Sequence, residues 1–474
     1  MTAALPRSLA EMRDKNPSDM GVCSSVASAS AAAAREAMRD LRAITCVVDD
    51  ADAAISLAKS GPSKMVHSRR PLEGVPVVVK DSFHVAGLPR WHGSAIHPGH
   101  LSNADSAPIA RLREAGAVIV GKTTMSELGL LASGNNSQFG DTLNPWNPDM
   151  SPGGSSSGTA AAIAYGVTPV GLGTDIAGSV RLPAAQCGIV GFKPTQGTIP
   201  YAPASNWRSA GPMATTVADV REIFGVVSRT DESDQWSFAY DFGDPSTRDG
   251  QAELEGLQVG VMEWPGYGPH MDAETRELFE RFLSLLSHAG ARLSKYAPGL
   301  SEADFMELDL CLKTRCEAEV RAAPTERRSK LLPVVAQWAA STPTRSAADY
   351  YDSLERLSAR AVHLLAASSH FDLLVSPVMG IHQFPADRFG PDTTMPLLYH
   401  TNYTAWFNQT GQPALSLCMG FSATGMPIGV QLIGRRRKDE WLLDIGQRVE
   451  ELLSLTPQWP RTSQNARTPM RGTE

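Results

Sequence analysis

The sequence predicts an α/β protein: a single large domain with a mixed, mainly parallel sheet sandwiched between helices. Three observations predict it. Short apolar runs bounded by turn residues recur, as in VPVVVK at 75–80 and AVIVGK at 117–122, the pattern of strands covered on both faces. Helical patterns separate them, as in TRELFERFLSLLSHAG from Thr275, and strands alternating with helices build layered α/β folds. The chain has 474 residues, 42% hydrophobic and 20% charged, which excludes a disordered chain, a coiled coil and a collagen. That length suits roughly two or three domain-sized cores or one large one.

Taken in order, residues 1–60 read as N-terminal helices, with Ala, Arg and Glu dense between Ser24 and Leu41. The strand at 75–80 opens a core spanning 61–230. A helix at 107–115 leads to the strand at 117–122. Between Asn135 and Gly158, Gly, Ser, Asn and Pro dominate, and irregular segments this long inside a domain are usually functional. A short helix, TAAAIAYG, and a strand, PVGLGTD at 169–175, follow. Later strands are expected at Leu257, Leu373, Ala414 and Ile428, with a helical covering region at 265–365. Residues 230–255 and 380–395 read as surface loops, and the tail 456–474, with its Pro and Arg, as poorly ordered.

Composition bounds the partners. The net charge of −7 gives no help toward nucleic acid or an anionic membrane, and suits a small-molecule substrate. No run of about 18 apolar residues is present to span a membrane. The polar start MTAALPRSLAEMRDKNP is not a secretory signal, so the cytoplasm is the expected compartment. The six cysteines are scattered and read as reduced and structural, and no metal or cofactor is expected.

The chemistry concentrates in SPGGSSSGTAAAIAYGVTPVGLGTDIAGSVRLPAAQCGIVGFKPTQG, residues 151–197. It holds two Gly/Ser clusters, at 153–158 and 177–179, the second at the end of a buried strand. Open α/β sheets place their sites beyond strand C-termini. Glycines there let backbone N–H groups turn toward a ligand, and a serine in such a nest has oxyanion donors beside its hydroxyl, as acyl transfer requires. A nucleophilic serine also needs a base. The eleven histidines offer no such pattern; His84, His92, His97 and His100 lie in one polar stretch. Lys80, the first polar group after four apolar strand residues, can serve if its pKa is lowered, or it simply ends the strand and reaches water.

This stretch resembles the amidase signature family. GGSS, GTD, GSVRLPAAQCG and VGFKPTQG stand in that family's order and spacing. The upstream KD, the lead-in NPWNPDMSPGG, and downstream GPMATTVADV and TGQPALSLCMGFSATGMPIGVQLIG also fit, so the resemblance runs from about residue 8 to 455. It implies the family's fold and a Ser–cis-Ser–Lys triad: Ser179 as nucleophile, Ser155 in the cis peptide, Lys80 as base. The oxyanion hole falls to the backbone around Ile176, Ala177, Gly178 and Ser179. Ser156, Thr174, Asp175 and Arg181 fall to site support. Two positions depart from the pattern. Ala177 stands where Gly is usual, at a steric cost if φ is positive, and Ser157 stands where Gly is common, with surface packing as its expected consequence.

The implied activity is hydrolysis of a small carboxylic amide to acid plus ammonia or amine. By position in the family, Gly129, Leu130, Leu131 and Ser133 line the acyl side. Trp207, Tyr403 and Trp406 lie in other loops within reach. No Lys or Arg cluster stands out in these loops, which points to an uncharged substrate. SGNNSQFGDTLNPWNPD is similar to amidases of aryl-acetamides. Three alternatives stand: an ester or carbamate hydrolase with the same triad, the glutamine-hydrolysing component of the tRNA-dependent amidotransferase, and a non-catalytic binding protein. QGTIPYAP at 196–203 departs from that component's usual run. A homodimer is the family habit.

Overall fold

The apolar runs assemble into one eleven-stranded sheet. The computed structural model describes residues 5–14, 20–48, 70–205, 207–239, 253–343, 346–456 and 459–460. In chain order the strands are β1 (Ile44–Val47), β2 (Pro76–Lys80), β3 (Val118–Thr123), β4 (Val170–Asp175), β5 (Val190–Lys193), β6 (Ser209–Ala214), β7 (Gln258–Val261), β8 (Arg292–Lys295), β9 (Leu373–Pro377), β10 (Ala414–Phe421) and β11 (Pro427–Ile433). Their spatial order is β1-β3-β2-β4-β6-β5-β10-β11-β9-β7-β8. The sheet is mixed, as expected. Its parallel parts are two runs, β3-β2-β4 and β9-β7-β8. The other pairings are antiparallel, so the antiparallel share is larger than the sequence pattern suggested.

Strands β2, β3 and β4 are buried along their whole length, because helices cover both faces. One side carries Met20–Leu41 and the Ala-rich Ser157–Tyr165, whose small side chains pack on Val78, Val118 and Val120. The other carries Val217–Val227, Ala273–His288 and Asp439–Leu453, whose apolar faces meet Val77, Val79, Leu172 and Leu415. Four strands escaped the sequence reading. β1 interrupts the stretch expected to be helical over 1–60. β5 (VGFK) and β8 (RLSK) are only four residues long, and β6 (SAGPMA) holds Gly and Pro. Glu302–Ala322, Pro333–Ala340 and Ala347–Ala367 lie in the stretch 265–365 expected to be helical, which β8 interrupts. Most of the tail after 456 lies outside the described residues, as do 240–252. No described helix is long and apolar enough to cross a membrane.

Two features position the site. β2 and β4 run parallel in register Val79↔Leu172, so the C-terminal ends of both strands open on the same edge. β4 then turns through Ile176–Val180 directly into the short helix Arg181–Cys187, which holds that turn against β10 and β11.

Candidate active site

Lys80 ends β2 with no solvent exposure. Its Nζ lies 2.8 Å from Ser155 Oγ, 3.0 Å from Ser156 Oγ and 3.1 Å from the Thr174 carbonyl. The direction of these contacts depends on the charge of the amine. The Thr174 carbonyl can only accept. Ser156 donates its own proton to that carbonyl at 3.2 Å and accepts the Thr174 N–H at 3.3 Å, so toward Nζ it also accepts. A neutral amine has two N–H donors and one lone pair. In that form the two donors serve Ser156 and Thr174 and leave the lone pair for Ser155, whereas an ammonium would donate to all three. Burial drives the Lys80 pKa well below the ordinary lysine value; Asp175 opposes this, and Arg208 and Arg315 reinforce it.

Ser155 follows a cis Gly154–Ser155 peptide. Its carbonyl accepts the Ser126 N–H at 3.2 Å, and the next amide, Ser156 N–H, donates to the Ser179 carbonyl at 3.1 Å. That bond ties the two Gly/Ser clusters together. Gly173, in β4, makes room for it: a Cβ there would stand 2.7 Å from Ser156 Oγ. Ser157, expected at the surface, is instead fully buried as the first residue of its helix.

The turn carrying Ser179 is held by a buried ion pair. Arg181 donates to both Asp175 oxygens at 3.0 and 2.9 Å, and its remaining donors reach Thr404 O, Gln431 Oε1 and Asn408 Oδ1 at 3.0, 2.6 and 2.7 Å. All five guanidinium N–H groups are used. Burial alone would raise the Asp175 carboxyl, but Arg181 holds it well below the usual carboxylate range. Asp175 in turn accepts the N–H groups of Gly178 at 2.8 Å and Val180 at 3.0 Å. Gly178 is therefore not the free oxyanion donor expected, because its amide is spent inside the turn. Among the described residues, the amides of Ala177 and Ser179 have no such acceptor. Gly178 has φ of 121°, and a Cβ there would stand 2.3 Å from Thr404 Oγ1. Ala177 does not have positive φ, so the expected steric cost is absent.

Two small cavities meet at this edge, sharing Gly129 and Ile176. One is apolar and contains Ser179; Leu130, Leu131, Ala177, Leu182 and Leu312 line it. The other contains Ser155 and is polar, with His92, Tyr201, Arg208 and Arg315 in its wall. Ser133 lines neither; its backbone packs on Gly154. Trp207 packs at the margin of the core beside the site. Tyr403 is buried elsewhere, donating to the Glu263 carbonyl, and Trp406 donates to Tyr267 Oη at 3.0 Å.

Arg208 and Arg315 were missed by the sequence reading, and they remove the premise for an uncharged substrate. Arg208 follows Trp207, and Arg315 lies one turn beyond Leu312 on the Glu302–Ala322 helix. Nothing in either local sequence marks them as neighbours. Arg315 pairs with Glu319 at 2.8 Å, and His92 Nδ1 lies 3.2 Å from the other Glu319 oxygen. Against the effect of burial, His92 and Arg315 hold the Glu319 carboxyl well below its ordinary range, while burial takes His92 down to about 4. His92, His97 and Glu319 also offer three metal-ligand atoms within 4.8 Å of one another. The Arg315 guanidinium already occupies Glu319, which makes this a poor seat for a dication.

The chain is similar to known proteins over most of its length. The family model described as Amidase matches residues 26–443. A component of the glutamyl-tRNA(Gln) amidotransferase of Chloroflexus aurantiacus is 33% identical over 440 residues, covering 86% of this chain and 89% of that one. The solved structure of 6-aminohexanoate cyclic dimer hydrolase with substrate superposes with a TM-score of 0.82 at 24% identity, over 95% of this chain and 98% of that one, a likeness of fold. The glutamyl-tRNA(Gln) amidotransferase component from Thermotoga maritima superposes with a TM-score of 0.69 at 26% identity, over 90% of this chain and 93% of that one.

Proposed function

The chain belongs to the amidase family, and within it we propose that this protein hydrolyses a small carboxylic amide through an acyl-enzyme on Ser179. The observation that carries this reading is the Lys80 amine, wholly out of water and 2.8 Å from Ser155 Oγ. Ser179 Oγ attacks the amide carbon, and its proton passes through Ser155 to Lys80. The oxyanion rests on backbone N–H groups of Ile176, Ala177 and Ser179, with Gly178 holding the turn. Lys80, through Ser155, then protonates the leaving nitrogen as the C–N bond breaks. Water repeats the sequence in reverse to free the acid. Thr174 and Ser156 orient the Lys80 amine, and Asp175 and Arg181 hold the turn that carries Ser179. The reading takes the enzyme as cytoplasmic and homodimeric; light scattering on the purified chain tests the second point.

A second reading, the glutamine-hydrolysing component of an amidotransferase, is favoured by the names of curated relatives. The apolar lining around Ser179 and the departure at 196–203 favour the stand-alone amidase. The experiment is product release by the purified chain alone from a panel of simple amides and glutamine, with a fluorophosphonate to report the nucleophile. Amide turnover with label on Ser179 supports the proposal. Turnover confined to glutamine favours the second reading, and label on Ser155 overturns the assignment.

A further inference from the structure

We propose that the substrate is an amide between a small apolar acid and an amine that carries a carboxylate, the carboxylate being received by Arg208 and Arg315. This rests on the hydrolase reading above and sharpens it. The leaving nitrogen must sit beside the hydroxyl that protonates it, which is Ser155. Ser155 lines the polar cavity, whereas Ser179 lines the apolar one. The leaving amine therefore lies among Arg208, Arg315 and Tyr201, and the acyl group among Leu130, Leu131 and Leu312.

Charge on that side is unbalanced. Arg315 has Glu319 as partner. Among the described residues Arg208 makes no ion pair and no side-chain hydrogen bond; its guanidinium lies over the Tyr201 ring, 4.9 Å from the centroid, and only its field reaches Glu319. Lys80 and His92 are held toward their neutral forms, so neither adds charge or competes for the anion. Arg90, donating to the Ser82 carbonyl at 3.0 Å, adds positive field at His92. A guanidinium half out of water, stacked but not paired, is preorganised to take a carboxylate through its planar fork. Such a group leaves the positive side of the cavity neutralised only when substrate is bound. The reaction balances: amide plus water gives an apolar carboxylic acid and an amine bearing a carboxylate.

Three probes test this on the full chain: N-butyrylglycine, its uncharged N-methylamide, and glutaramate, a primary amide with its carboxylate on the acyl side. We expect N-butyrylglycine to be favoured in kcat/KM by about 10–100-fold over the N-methylamide, the range of one charge-assisted hydrogen-bond pair. Arg208→Gln should collapse that ratio, chiefly through KM, and Arg208→Lys should restore part of it. A purely structural Arg208 would lower both substrates together and leave the ratio unchanged, which overturns the proposal. So does a preference for glutaramate, equal turnover of charged and neutral probes, or no cleavage of N-butyrylglycine by a chain whose Ser179 still takes the fluorophosphonate. In each of these cases Ser179 labelling keeps the hydrolase reading standing. Loss of labelling in the wild-type chain overturns that reading instead.

Discussion

Replacing Lys80 by Met and by Arg separates a neutral base from a structural cation. Met keeps the length and the burial and removes the lone pair. Ser156 keeps the Thr174 carbonyl at 3.2 Å and the Thr174 N–H at 3.3 Å, so the one group left short of a partner is Ser155 Oγ. The cost in stability should be about 1–3 kcal/mol, that of one buried polar group without a partner. Arg must carry its charge where the carboxylate that acts on this position, Asp175, already holds Arg181 through both oxygens. An unpaired buried charge costs about 3–5 kcal/mol, so Lys80→Arg should unfold at lower urea than Lys80→Met. Both should lose kcat by about 10³–10⁴-fold or more, since neither can accept the serine proton at any pH. The pH dependence has a definite sign. The unfolded chain holds the Lys80 proton up to about the ordinary value of 10.5, while the fold releases it well below. Wild-type stability therefore rises with pH toward that value, by about 1.4 kcal/mol per pH unit for each such group. Lys193, lowered to about 7 chiefly by burial, contributes with the same sign. Lys80→Met should remove one share of this slope and leave the other, as read by urea titrations between pH 7 and 10. Substantial amide hydrolysis by Lys80→Arg, or an unchanged slope in Lys80→Met, would refute the reasoning.

Ser179→Ala should abolish turnover and fluorophosphonate labelling while changing the urea midpoint little, and Ser155→Ala should be severely slowed but stay above it; wild-type activity in Ser155→Ala would end the relay. Arg181→Met should cost about 3–5 kcal/mol, because Asp175 is left buried and unpaired, and should abolish the loss of stability on acidification that a depressed carboxyl produces as pH falls through its folded pKa. Gly178→Ala should cripple kcat, since the new Cβ meets Thr404 and φ is positive; a fully active variant would show that the turn tolerates movement.

The sequence made some of this legible and hid the rest for physical reasons. β2, β3 and β4 were readable because strands covered on both faces must be apolar throughout, and Lys80 was conspicuous because it broke such a run. β5 and β6 were not, since their Gly and Pro serve close packing: a Cβ on Gly191 would stand 2.6 Å from Ala184, and one on Gly211 would stand 2.3 Å from the Phe192 carbonyl. The strand–turn–helix around Ser179 was legible as a glycine nest, but which amides stay free was not. That depends on Asp175 capturing Gly178, a contact set by where Arg181 places the carboxylate.

The same division explains why chemistry and specificity differ in how they can be read. Lys80, Ser155 and Ser179 sit at sheet edges and on the segments joined directly to them, so their spacing along the chain is constrained by strand length and register. Groups lining the cavities arrive from the covering layer, where one helix can serve both. On Glu302–Ala322, Leu312 faces the apolar cavity, Arg315 three residues on faces the polar one, and Glu319 four further on tethers Arg315. Those intervals are what any amphipathic helix uses to pack, with Leu308, Cys311 and Cys316 as its buried contacts. A helix can thus exchange Leu312 or Arg315 without disturbing the sheet that holds the serines and the lysine. Substrate choice can therefore drift in the covering layer while the reaction stays fixed at the strand ends, and the charge of the substrate becomes visible only when helix and sheet are seen together.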